Sequence, residues 1–167
     1  MTKITASPGG GNGSPANATG TECVADILER ELAPTIRDWM GLVEKEPDLA
    51  RIRLNFQERT GHLPKLLHDV NARLRLAQGS KAPVSVAASH HGELRKEQGY
   101  TAAMVVDESR ILQVSIFSTL HRNEHLVKFS TLLPDVVTIA DEVDAQLKQQ
   151  ILCFLPGGRV GKKEAAN

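Results

Sequence analysis

The sequence predicts an all-α protein: a single-domain helical bundle of about five to six helices behind a disordered N-terminal tail. Three observations point there. From about Glu22 onward, apolar residues recur three and four positions apart, with few alternating β-branched runs and almost no hairpin signals. Prolines and glycines fall mostly between these periodic stretches. A chain of 167 residues with 41% hydrophobic content suits one domain with a real core. The helical domain is expected over 22–155, between a tail at 1–21 and a flexible exit at 156–167.

The opening MTKITASPGGGNGSPANATG is filled with Gly, Ser, Pro and Asn, which bury too little to offset the entropy of ordering. It holds no apolar run long enough for a signal peptide or a membrane span. Gly11, Gly13 and Ala16 fit a GxGxxG/A spacing, but no strand precedes them and no dinucleotide site is expected. The sequon Asn17-Ala18-Thr19 is idle without an export signal.

The first helix carries Val24, Ile27, Leu28, Leu32, Ile36, Trp39, Met40 and Val43, with Pro34 kinking or splitting it and Pro47 marking its end. A short Arg-rich segment follows from Asp48 to about Arg59. Gly61 and Pro64 then precede a helix bearing Leu66, Leu67, Val70, Leu74 and Leu76, stopped at Gln78-Gly79-Ser80. After Pro83 comes a helix closed by Gly99, and Thr101 caps the next one, which runs to about His125. Met104, Val105, Val106, Ile111, Leu112, Val114, Ile116, Phe117 and Leu120 cover most of that helix, as expected of a central, surrounded element. The last helix is expected to begin after Pro134 and to reach about Phe154. Its early Asp135, Asp141 and Glu142 and late Lys148 suit the helix dipole.

The helix after Pro83 has an unusual face. His91, Arg95 and Gln98 continue the line of Val84, Ala87 and Ala88, so a core stripe turns polar. On the following helix Glu108 stands among Met104, Ile111 and Leu112, where an unpaired carboxylate would cost several kcal/mol. The Gly99-Tyr100 connection is short, so the two helices should pack antiparallel, and Arg95 and Glu108 lie at comparable distances from the turn. Arg95 is therefore the expected partner of Glu108, with His91 and Gln98 completing a network that the Tyr100 hydroxyl anchors. This network is either structural or a ligand or partner contact.

The run HGELRKEQGYTAAMVVDESRILQVSIF, with His91, Arg95, Gly99, Glu108 and Leu112, resembles the signature of the RsbRD-type N-terminal domain of regulators of the bacterial stressosome and sigma-factor pathway. DWMGLVEKEPDLARIRL and LPKLLHDVNARL resemble that family's opening helices, so the likeness spans roughly Val24 to Leu155. It implies a sensory or protein-interaction input of the kind placed ahead of a kinase, PAS, STAS or transcription-factor output. No such module is evident in this chain, so the expected arrangement is an input acting in trans on a separate output protein, or else a free-standing relative whose role has drifted.

The remaining signals are mostly exclusions. With 20 basic and 20 acidic residues the formal net charge is +0, so no global field draws the chain to nucleic acid or an anionic membrane, and neither is an expected partner. Arg51, Arg53 and Arg59 read as a solvated cluster. Cys23 and Cys153 have no metal or CxxC spacing, which suits reduced thiols in the cytoplasm. HRNEH, His121 to His125, matches an inverted zinc-peptidase motif, yet it sits at a polar helix end with only 42 residues after it. No metal, cofactor or catalytic residue is expected, since no nucleophile has a visible base and orienting acid. Val136, Ala140, Val143, Leu147 and Phe154 approach heptad spacing and are the expected homodimer stripe. The function these readings favour is a non-enzymatic signalling input or protein-interaction module. The alternative is a small-molecule sensor with a polar pocket around His91, Arg95 and Glu108.

Overall fold

The computed structural model describes residues 21–77 and 79–156. Nearly all of the expected tails, 1–21 and 156–167, lies outside the described residues, and no strand occurs among those described. In chain order the helices are α1 (Val24–Arg30), α2 (Leu32–Val43), α3 (Pro47–Ala50), α4 (Phe56–Thr60), α5 (Leu63–Leu74), α6 (Val86–Glu97), α7 (Ala102–Arg122) and α8 (Phe129–Leu152), with a 3₁₀ turn at Glu124–Leu126. The bundle is the expected one, with additional short pieces.

Local chemistry explains the divisions. Pro34 lies in the first turn of α2, where its ring would collide with the carbonyl of Arg30, four residues back; the helix breaks between Arg30 and Leu32. The Arg-rich segment folds into two short helices. Pro47 starts α3, and at α4 the Asn55 side chain accepts from the Glu58 amide while the Glu58 carboxylate accepts from the Asn55 amide. α8 begins at Phe129 rather than after Pro134. Proline there removes one hydrogen bond near the helix start, while Leu132 and Val136 on either side still pack on the core.

α8 is the shared platform, against which α5, α6 and α7 all pack. α7 also carries α2 and α1, and α1 closes on α5. Ile27, Trp39, Val43, Leu49, Val70, Val105, Ile116 and Ile139 are fully buried between them. α7 is not surrounded: Val106 and Val114 face outward at 45% and 43% exposure. The expected dimer stripe is corrected at Val143. Val143 is a core residue at 3% exposure, Val136, Leu147 and Phe154 are half-buried against that core, and Ala140 is half-buried beside them. A heptad-like stripe serves equally to dock a helix inside its own bundle, and Val143 does so here. No helix among the described residues is long and apolar enough to cross a membrane.

Candidate functional site

The α6–α7 hairpin sets the geometry of the polar network. The Ser85 hydroxyl caps α6 by accepting from the Ala88 amide, and the Thr101 hydroxyl caps α7 by accepting from the Met104 amide at 3.3 Å. Between the helices Gly99 adopts φ +86°, the left-handed conformation that glycine enters without strain. This lets the Tyr100 amide donate back to the Arg95 carbonyl and the Gly99 amide to that of Lys96. One turn thus fixes both Arg95 and Tyr100 relative to Glu108. α6 is seated close on α8 at Gly92, where an added Cβ would lie 2.6 Å from the Gln150 carbonyl oxygen.

Arg95 is 0% exposed and Glu108 3%. The guanidinium meets the carboxylate in two parallel bonds, Nε to Oε2 and Nη2 to Oε1, both 2.8 Å. Glu108 Oε2 also lies 3.2 Å from His91 Nε2, and Oε1 accepts from the Tyr100 hydroxyl at 3.2 Å. Four contacts from three residues fill the hydrogen-bonding capacity of the carboxylate. Trp39, fully buried on α2, donates its indole N–H to the Glu108 carbonyl. Arg95 has donors left, and these reach the Gln98 side chain at 2.7 Å, the Arg59 carbonyl at 2.7 Å and the Glu58 carbonyl at 3.4 Å. Its Nη2 lies 3.4 Å from His62 Nε2, and its guanidinium carbon 4.8 Å from the centre of the Tyr100 ring.

All five expected residues, His91, Arg95, Gln98, Tyr100 and Glu108, therefore meet in one network, and Arg95 pairs with Glu108 as the antiparallel hairpin requires. Two members are additions. Arg59, expected in a solvated cluster, is 4% exposed; it donates to the Tyr100 hydroxyl and to the carbonyls of Leu49 and Ile52. His62 stacks on His91 with ring centroids 3.8 Å apart. The two arginines together clasp the irregular segment 49–62 to the α6–α7 hairpin.

Burial governs the protonation of these groups. Desolvation pushes the His62 and His91 pKa values below the usual histidine range; for His62 the nearby charges on His91 and Arg95 add to it, and for His91 the Glu108 bond opposes it. Burial would raise the Glu108 carboxyl, but the hydrogen bond from His91 and the Arg95 charge outweigh it and hold the carboxyl below its ordinary value. The Tyr100 hydroxyl is pushed up to about 12, first by burial and then by the Glu108 charge.

His62, His91 and Glu108 form the one grouping of metal-type donors among the described residues, with ligand atoms within 4.8 Å of one another. Its geometry does not suit an ion. The rings are stacked at an interplanar angle of 22°, so their in-plane lone pairs run alongside rather than converge. Both oxygens of Glu108 are engaged by Arg95, whose positive charge would also repel a cation. The HRNEH residues stay apart from the site: α7 ends at Arg122, and His121 and Glu124 are exposed and pair with each other at 3.1 Å.

Beside the network lies a cleft of about 1000 Å³. α5 and α6 form its walls, Glu142 of α8 lies in its floor, and Gln57, Glu58 and His62 close one end while Pro83, Val84 and Ser85 close the other. Beneath it α8 carries a second buried polar row, Glu142, Gln146 and Gln150, each at most 4% exposed. Gln146 donates to Glu142 Oε1 at 3.0 Å and to the Leu66 carbonyl at 3.2 Å. Spacing of four residues on the core side of α8, next to Ile139 and Val143, is the sequence signal that reveals this row. No family model, curated protein or solved structure was found to match the chain.

Proposed function

We propose that this chain is a non-enzymatic input module that binds a small molecule in the cleft between α5 and α6 and regulates a separate output protein. One observation carries the reading: Glu58, His62 and Gln98 each line the cleft and each contact Arg95. A ligand seated there rearranges the partners of a fully buried guanidinium, and through it the clasp on segment 49–62. Differential contact with two arrangements of such a clasp is what a sensor needs.

The RsbRD-type resemblance supports the same class. Its signature residues His91, Arg95 and Glu108 fall in the network, Gly99 forms the turn and Leu112 packs in the core beside them. The non-enzymatic part rests on Glu108 being saturated and on a Tyr100 hydroxyl that holds its proton to about 12, so neither serves a substrate at neutral pH. The sensing surface shifts from His91, Arg95 and Glu108, which are buried, to the cleft side chains that touch them. The test is a thermal-shift screen of small molecules on the purified chain. A binder at about 100 times its Kd stabilises by about 2.7 kcal/mol, and Gln98→Ala should weaken its effect. A broad screen in which no compound raises the midpoint refutes the reading.

A further inference from the structure

The inner surface of the cleft points to the chemistry of its ligand. α5 and α6 both rest on α8 and barely touch each other, so the cleft reaches down to the α8 surface. There stands Glu142, 1% exposed. Oε1 accepts from Gln146, but Oε2 has no hydrogen-bond partner among the described residues. A buried carboxylate oxygen left in this state is expensive, and native proteins rarely keep one without a partner that arrives from outside.

The charges around it are also unbalanced. Asp69, half-buried on the α5 wall, is engaged among the described residues only by the Ser85 hydroxyl, at 2.5 Å. Arg73 is also buried, but its Nη2 reaches Asp141 at 3.5 Å and its Nε has no hydrogen-bond partner among the described residues, so it does not donate to Glu142. Lys65, His68 and His90 also border the cleft, and all three are exposed at its mouth. Burial raises the Glu142 carboxyl above its ordinary value, with Asp69 adding to the effect and Arg73 opposing it, as for a carboxylate short of a cation. Above this acidic floor the walls turn apolar at Pro64, Pro83, Val84, Val86, Ala87 and Leu94.

We propose that the cleft binds a small organic cation: a protonated amine that donates to Glu142 Oε2, with an apolar body lying between α5 and α6. The proposal rests on the reading of the cleft as a ligand site and adds the charge of the ligand. A neutral donor could reach Oε2 but would leave the buried Glu142 charge without a counter-charge, and an anionic ligand would place like charges together.

The experiment compares 4-phenylbutylammonium, 4-phenylbutanol and 4-phenylbutyrate, which share a body and differ in charge, by calorimetric titration of the wild-type chain at neutral pH. The ammonium should bind at least about ten-fold tighter than the alcohol, as a hydrogen bond to a charged group warrants, and the carboxylate should bind weakest. Glu142→Gln keeps the acceptor used by Gln146 and removes the charge, so it should erase the ammonium's advantage while leaving the alcohol's affinity within about two-fold. Equal affinities for all three, or tightest binding of the carboxylate, overturn the cation proposal while leaving the cleft a ligand site. Binding of none of the three overturns the cation proposal, and the broad screen then decides the cleft itself. The three wild-type affinities need no variant, so a Glu142→Gln chain that fails to fold does not spare the proposal.

Discussion

Replacing Arg95 by Leu should be among the most damaging single changes in the chain, and replacing Glu108 as well should undo part of the damage. In Arg95→Leu the Glu108 carboxylate stays buried at 3% exposure and loses two 2.8 Å bonds together with its counter-charge. Removing one member of a buried pair costs about 3–5 kcal/mol. At about 2–4 °C per kcal/mol for a chain of this size, the midpoint should drop by roughly 6–20 °C. Arg95→Leu with Glu108→Leu removes the orphaned charge but leaves the Arg59 carbonyl and the Gln98 side chain without their donor. A buried acceptor so stranded costs about 1–3 kcal/mol, so the double variant should recover about half of the loss and no more. Thermal and urea unfolding followed by circular dichroism measure all four corners of the cycle. Losses that simply add would mean that the two residues do not interact, and would refute the Arg95–Glu108 pair.

Acid should loosen the same network. His62 and His91 have folded-state pKa values below the unfolded one, so the unfolded chain takes up protons first as pH falls through about 6.5. Their stabilisation is full above that pH and declines below it, by up to about 1.4 kcal/mol per histidine between pH 6.5 and 5.5. Glu108, with its lowered carboxyl, adds a second loss only below the ordinary carboxylate range. The midpoint should fall between pH 7 and 5.5, and His62→Gln should flatten that slope; a midpoint constant over this range would contradict it. Gly92→Ala should destabilise by about 1–3 kcal/mol, because its Cβ would meet Gln150 backbone atoms at 2.6 and 2.7 Å; a neutral result in urea unfolding would show that α6 sits less tightly on α8. Val143→Glu, with Leu147→Glu, should abolish cooperative unfolding by circular dichroism, since it puts a charge into the core. A folded, lighter species in sedimentation would restore the dimer stripe.

The fold and half of the site were legible because they rest on local signals. Helical periodicity, Gly99 and the Thr101 cap define the α6–α7 hairpin, and so short a turn packs the two helices antiparallel, which brings Arg95, four residues before Gly99, within reach of Glu108, eight after Tyr100. Arg59 and His62 were not legible in the same way. They lie in and just after a five-residue helix too short to show a period, and their partners Tyr100 and His91 are 41 and 29 residues away in sequence. The α8 stripe shows a different limit: spacing reports that one face of a helix is apolar, but not whether its own bundle or another copy covers it. Pro34 and Pro134 differ for a related reason. Both are flanked by residues that pack on the core, Leu32 and Ile36 about the first and Leu132 and Val136 about the second, and spacing alone does not say which helix stays continuous.

The most direct test of the account is hydrogen exchange across the chain, with and without a compound that raises the thermal midpoint. If the cleft is a sensing site, binding should slow exchange not only along α5 and α6 but also in segment 49–62, which Arg59 and Arg95 hold through its carbonyls. Protection confined to the residues that line the cleft, with segment 49–62 unchanged, would mean that the ligand does not reach the clasp, and would contradict the proposed function.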